Sequence, residues 1–81
     1  MKYYYYNGQR IYGMERHIKA KSMKDALQKV LDHLERLEEH EFTNDDGSYN
    51  YDAHFEIGNK ITLENFDEEE FLNELELLDE D

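Results

Sequence analysis

The sequence contains no cysteine, no proline and no tryptophan among its 81 residues. The lack of cysteine excludes disulfide bonds and metal sites built on thiolates. A chain this short buries only about 60 % of the surface that its unfolded form exposes, and small domains often rely on disulfides, a metal or a partner chain for stability. Because disulfides are excluded, the composition favours a partner chain.

Long apolar runs are also missing. Residues 1–8 contain no apolar run of signal-peptide length, and no stretch approaches the about 20 apolar residues that cross a bilayer. We therefore predict a single domain over residues 1–81, located in the cytoplasm and without a membrane partner.

Negative charge dominates the second part of the chain. Residues 1–34 hold seven Lys/Arg and three Asp/Glu, a net charge of +4, whereas residues 35–81 hold two Lys/Arg and eighteen Asp/Glu, a net charge of −16. Such a field repels nucleic acids and attracts basic surfaces. The charge predicts a basic protein as the partner and no direct binding of nucleic acid. In the alternative interpretation, the acidic surface serves mainly solubility.

Apolar periodicity and turn signals predict the element order ββαββα. Asn7-Gly8 is typical of a two-residue β-hairpin, and apolar and polar residues alternate over 49–57. Ser22 and Asp67 are favourable N-caps. We expect an α+β fold with a four-stranded antiparallel sheet and two helices packed on one face. The predicted bounds are strands 2–6, 9–20, 49–57 and 61–65, helices 22–41 and 67–78, and a frayed acidic end at 79–81.

The predicted hairpin also assigns the tyrosines to faces of the sheet. The face that carries Tyr3 and Tyr5 has the longer apolar alternation and is expected to meet the core. The opposite face would then carry an exposed aromatic patch, which is an alternative partner-binding site of hot-spot composition. This patch consists of Tyr4, Tyr6 and Ile11.

An apolar stripe with heptad-like spacing runs from Met23 to Leu37. It motivates a homodimer in which the helix stripe pairs with itself. A second arrangement would bring the basic N-terminal third of one copy against the acidic half of another. The alternative function is therefore a small homo-oligomeric interaction module.

The sequence carries no recognisable catalytic, metal or nucleotide-binding motif. His33 and His40 are seven residues apart, about 10 Å along a helix, which is too far to share one ion. The acidic turn before Gly47 fails the EF-hand pattern, because Gly47 at the sixth position places Phe42 at the first. The carboxylates share one solvated environment, whereas acid–base catalysis needs two different ones. We predict a protein that is not an enzyme and holds no cofactor or metal.

The capped segment Asn65-Phe66-Asp67-Glu68-Glu69-Glu70-Phe71 resembles an acidic segment of an anti-CRISPR protein directed against a CRISPR nuclease. As a small, acidic, cysteine-free chain, the protein is similar to phage-encoded inhibitors of host nucleic-acid enzymes. That class includes anti-CRISPR proteins, anti-restriction proteins and uracil-DNA glycosylase inhibitors, several of which are DNA mimics.

The resemblance implies a phage or mobile-element inhibitor that acts in the host cytoplasm. Its carboxylates would stand in for phosphates and occupy the basic nucleic-acid-binding groove of a host defence or DNA-processing protein. The residues predicted to bind this partner are Glu35, Glu38, Glu39, Glu41, Asp45, Asp46, Glu64, Asp67, Glu68, Glu69, Glu70, Glu74 and Glu76.

Overall fold

A computed structural model describes residues 1–80 of the chain. Within this range the strands form one antiparallel sheet in the order β2-β1-β3, and α1 packs on β2. The α+β class is as predicted, but the four-stranded sheet with two helices is wrong, since the described residues form three strands and three α-helices. The elements are β1 (Lys2–Tyr6), β2 (His17–Ala20), α1 (Met23–His40), α2 (Tyr51–Glu56), a 3₁₀-helix (Leu63–Asn65), α3 (Glu68–Asn73) and β3 (Leu75–Glu80).

The connection between β1 and β2 is a long loop rather than the predicted two-residue hairpin at Asn7-Gly8. It covers residues 7–16, so the predicted strand 9–20 shortens to β2. Arg16 closes this loop, because its Nη1 donates to the carbonyl oxygens of Tyr6 (3.0 Å) and Gly8 (2.7 Å). Two carbonyls at the start of the loop are thus satisfied by one half-buried side chain.

Replacing Arg16 with methionine is expected to lower the free energy of unfolding by about 1.5–3 kcal/mol, because hydrogen bonds from a charged donor to two carbonyls are lost. Urea denaturation at neutral pH would measure the change. Arg10→Met is the matched control. Arg10 is exposed and lies in the same loop, so its replacement should change stability by no more than about 0.5 kcal/mol. Equal effects of the two variants would contradict this role of Arg16.

The tyrosines of β1 face the opposite way from the prediction. Tyr4 and Tyr6 are 3 % and 4 % exposed and lie in the core, whereas Tyr3 and Tyr5 are half-buried on the open face of the sheet. A shift of register by one residue exchanges the two faces of a strand. The predicted exposed patch does not exist, because Ile11 is buried together with Tyr4 and Tyr6.

The cross-strand neighbours explain which face of β1 meets the core. Tyr4 lies opposite Ile18 on β2, Tyr6 lies opposite Leu75 on β3, and both of these neighbours are buried. The neighbours of Tyr3 are instead Lys19 and Asp79. Only the first set can contribute apolar area to a core.

Helix α1 occupies residues 23–40 of the predicted helix 22–41. The Ser22 hydroxyl accepts a hydrogen bond from the Asp25 amide (3.1 Å), which fixes the start of the helix. The rest of the chain covers most of the stripe proposed for dimerisation, but Met23 at its start is 40 % exposed. Its buried residues are Ala26, Val30, Leu34 and Leu37.

Residues 49–57 form α2 and its flanks instead of the predicted strand. The Asn50 side chain caps α2 by accepting from the Ala53 amide (3.3 Å), and such side-chain bonds compete with strand pairing. The predicted strand 61–65 is reduced to a single bridge between Ile61 and Ile11, followed by the 3₁₀-helix.

The predicted helix 67–78 is divided between α3 and β3. Asp67 caps α3 through the Glu70 amide (3.1 Å), and the rings of Phe66 and Phe71 pack at 5.7 Å. After α3 the chain forms β3, which pairs with β1. Asp79 and Glu80, which were predicted to lie in a frayed end, belong to this strand. Asp81 lies outside the described residues.

The molecule is elongated, with Cα dimensions of 44 × 21 × 18 Å. Its radius of gyration is 13.7 Å, compared with about 12 Å for a compact chain of this length. Among residues 1–80, no helix is long and apolar enough to cross a membrane.

Candidate functional site

The predicted acidic residues lie on the surface. Twelve of the thirteen are exposed and Glu38 is half-buried, so the carboxylates are accessible to a partner. They are distributed over several elements, with Glu64 in the 3₁₀-helix and Glu76 in β3. Glu35 and Glu39 lie on the side of α1 opposite its buried stripe, Asp45 and Asp46 lie in the turn after α1, and Glu68–Glu70 form the first turn of α3.

The three carboxylates in the first turn of α3 are not held in ion pairs within residues 1–80. In the described part of the chain, no Lys or Arg pairs with Glu68, Glu69 or Glu70, and all three are exposed. Their negative charge is instead favourable at the positive end of the α3 dipole. A cationic partner could therefore approach them without breaking an internal ion pair.

The turn that carries Asp45 and Asp46 is held by its own hydrogen bonds. Asp46 accepts from the Ser48 hydroxyl (2.6 Å) and the Ser48 amide (3.0 Å), and these bonds lower the pKa of its carboxyl below the ordinary value. Asn44 donates its side-chain amide to the Ser48 hydroxyl (3.1 Å) and the Tyr49 carbonyl (3.1 Å). The turn thus presents its carboxylates on an ordered backbone.

Glu70 in α3 and Glu74, the residue that caps the C-terminal end of α3, lie near the buried Tyr6 hydroxyl. Burial of this group raises the pKa of Tyr6, the negative charge of Glu70 raises it further, Arg16 lowers it, and Glu74 adds a smaller increase. Glu70 and Glu74 therefore contribute to the field around the 7–16 loop as well as to the acidic surface.

Stability at alkaline pH is expected to depend on Tyr6. Because its pKa is higher in the folded protein, the unfolded chain loses this proton first. The contribution of the protonated Tyr6 side chain to the free energy of unfolding is therefore complete below about pH 10, and it is lost as pH rises toward the folded-state pKa. Urea denaturation at neutral and alkaline pH would show a smaller alkaline loss for Tyr6→Phe than for the wild type. Tyr51→Phe, which removes an exposed hydroxyl, is the control, and an identical alkaline loss in Tyr6→Phe would contradict the expectation.

A cavity lined mainly by aromatic rings lies beside the ordered turn. Its volume is about 300 Å³ and its lining residues are Tyr49, Tyr51, His54 and Glu64; we call it the aromatic cavity. The His54 ring packs against Phe42 at 5.2 Å and against Tyr49 at 5.0 Å. The core residue Phe42 thus fixes the wall of a surface cavity.

Helix α2 exposes large aromatic side chains next to this cavity. Tyr51 is 81 % exposed and Phe55 is 89 % exposed. The two are four residues apart and so are neighbours on the helix surface. The predicted strand 49–57 would have turned both rings toward the helices and the core, and this position is wrong. The signal that would have indicated otherwise is the N-cap residue Asn50, three residues before Ala53.

A second cavity, of about 380 Å³, lies between the end of α1 and α2. Burial raises the pKa of Tyr12 in its wall, as do the nearby charges of Glu56 and Glu41. Within residues 1–80, no group of three or more His, Asp or Glu side chains is arranged to hold a metal ion. The cavity is lined by Tyr12, His40, Glu41, Asn50, Asp52, Ala53 and Glu56.

No protein-family model, curated protein or solved structure matches this chain. Function is therefore inferred from the exposed side chains and their chemistry.

Proposed function

We propose that this protein is a non-enzymatic inhibitor encoded by a phage or mobile element. Its acidic surface would occupy the basic nucleic-acid-binding groove of a host defence or DNA-processing protein. The observation that carries this proposal is the exposed, unpaired row Glu68–Glu70 at the start of α3. Together with the ordered turn at Asp45 and Asp46, it provides carboxylates at fixed positions on an acidic surface.

The mechanism is competition for the same cations. Lysine and arginine side chains of the groove form charge-assisted hydrogen bonds with carboxylates as they do with phosphates. Because the turn and α3 are already ordered, little conformational entropy is lost when they bind.

The exposed aromatic residues favour a binding role over mere solubility. A surface that only keeps a protein soluble has no need of exposed rings, and clustered apolar exposure marks interaction sites. Tyr51 and Phe55 are both more than four-fifths exposed, and each is followed in the chain by an exposed carboxylate, Asp52 or Glu56. Aromatic anchors within a charged rim are typical of partner-binding surfaces.

The proposal is tested by capture followed by competition. Proteins that bind the immobilised chain from a bacterial lysate would be purified, and their affinity for a labelled DNA or RNA duplex would be measured with and without the chain. We expect the chain to bind no duplex itself, capture to weaken as NaCl rises because exposed pairs are screened, and the captured partner to lose duplex affinity. A partner that keeps its full nucleic-acid affinity while bound would show that the proposal is wrong.

A further inference from the structure

The aromatic cavity combines three rings with one carboxylate. Its volume of about 300 Å³ is at the lower end of the range for ligand pockets, about 300–1,000 Å³, so it suits one side chain rather than a large ligand. The faces of tyrosine rings attract cations through their quadrupole. Glu64 adds a full negative charge to the same wall. The chemistry of the lining therefore selects a small organic cation.

The Tyr51 ring keeps its faces available, because it is 81 % exposed and packs against no other ring within residues 1–80. Within residues 1–80, the cation–π contacts involve the rings of Tyr3, Tyr6 and Tyr12, and none uses Tyr49 or Tyr51.

We propose that the aromatic cavity binds the guanidinium group of an arginine side chain supplied by the basic partner. A guanidinium is flat, so it stacks on a tyrosine ring while its N–H groups pair with a carboxylate in a bidentate manner. An ammonium group does neither as well, since it is a compact and strongly hydrated charge. Tyr51 would supply the stacking face and Glu64 the carboxylate.

The claim that a basic partner supplies the arginine rests on the proposed function, whereas the binding of a guanidinium group by the aromatic cavity does not. The aromatic cavity lies between two parts of the acidic surface, the turn with Asp45 and Asp46 and the segment that begins at Glu64. A basic groove drawn to these carboxylates would bring its arginines to the mouth of the cavity.

The test is an NMR titration of the intact protein with N-acetyl-arginine-methylamide. We expect saturable shifts of the ring resonances of Tyr49, Tyr51 and His54. The citrulline analogue, which has the same shape without the charge, should bind more weakly, and so should the lysine analogue. Tyr51→Ala should weaken binding of the arginine analogue about two- to five-fold, whereas Tyr51→Phe should retain it.

Two further variants distinguish the contribution of the Glu64 carboxylate from non-specific effects of a substitution near the cavity. Glu64→Gln should weaken binding of the arginine analogue, because the bidentate partner is lost. Phe55→Ala is the matched control, since Phe55 is exposed on the same helix but does not line the cavity, and it should bind the analogue as the wild type does. Equal binding of the citrulline or lysine analogue, or unchanged binding by Tyr51→Ala, would overturn the guanidinium assignment.

The outcomes for the cavity and for the proposed function are distinguishable. If the arginine analogue does not bind but the captured partner still loses its nucleic-acid affinity, the guanidinium site is wrong and the inhibitor function stands. If the analogue binds and responds to the variants but the captured partner keeps its nucleic-acid affinity, the site stands and the inhibitor function is wrong.

Discussion

Replacing Phe71 with alanine is expected to lower the free energy of unfolding by about 3–5 kcal/mol, whereas Phe55→Ala is expected to change it by no more than about 0.5 kcal/mol. Phe71 is 2 % exposed and packs against Tyr6, with ring centroids 5.3 Å apart, and against Phe66. Phe55 is almost fully exposed. Because small domains are stable by only about 5–15 kcal/mol, the Phe71 variant should be close to unfolding at neutral pH.

Urea denaturation followed by circular dichroism would measure both variants. The comparison is matched, since each removes the same ring from a six-residue helix. The comparison also distinguishes the observed fold from the predicted four-stranded sheet, because Phe55 would face the core in that sheet. A loss of several kcal/mol in Phe55→Ala would favour that sheet and contradict the exposed position of α2.

Reversing the charge of Glu68 and Glu69 together is expected to slow association with the captured partner about tenfold or more. Rim charges steer the approach of a partner and affect dissociation less, so the dissociation rate should change little. Biolayer interferometry at physiological ionic strength would give the two rates separately. Asp67 is retained so that the cap of α3 survives.

Charge reversal of Glu15 and Asp32 is the matched control. Both residues are exposed and lie outside the predicted binding set, and the two double variants have the same net charge, −12 changed by four units to −8. If association slows equally in both, the partner responds to total charge alone and the acidic rows have no local role.

Local signals in the sequence were sufficient for α1 and for the start of α3. Ser22 and Asp67 each cap a helix through their side chains, and capping depends only on neighbouring residues. The exposure of the acidic residues was also predictable, because charged side chains are rarely buried without a partner.

The strands depended on contacts between distant residues. Leu72, Leu75 and Leu78 have helical spacing, yet Leu75 and the residues after it leave the helix to pair with β1. Nothing between residues 67 and 78 indicates that pairing, because the partner strand lies at the opposite end of the chain. The direction of Tyr4 and Tyr6 follows from the same pairing, so the error in the tyrosine face and the error in the last helix have one cause.

The aromatic cavity was beyond prediction for a similar reason. Glu64 lies in the 3₁₀-helix, while Tyr49, Tyr51 and His54 belong to α2 and the residues before it. Only the fold brings these two segments together. The alternation over 49–57 predicts a strand, whereas these residues form α2 and its flanks. Tyr51 was therefore assigned to the interior, and the exposure of the Tyr51 and Phe55 rings was not predicted.

The position of β1 has a consequence for synthesis. Of the three strands, β1 is made first but is central in the sheet, and its second neighbour, β3, is made after the other two. At about 5–20 residues per second, β1 remains without that neighbour for several seconds, with the backbone of its tyrosines open to other chains. A ribosome that stops before residue 75 releases a polypeptide with an unpaired strand edge, which is a known route to aggregation. The sheet can therefore be completed only after β3 has been translated.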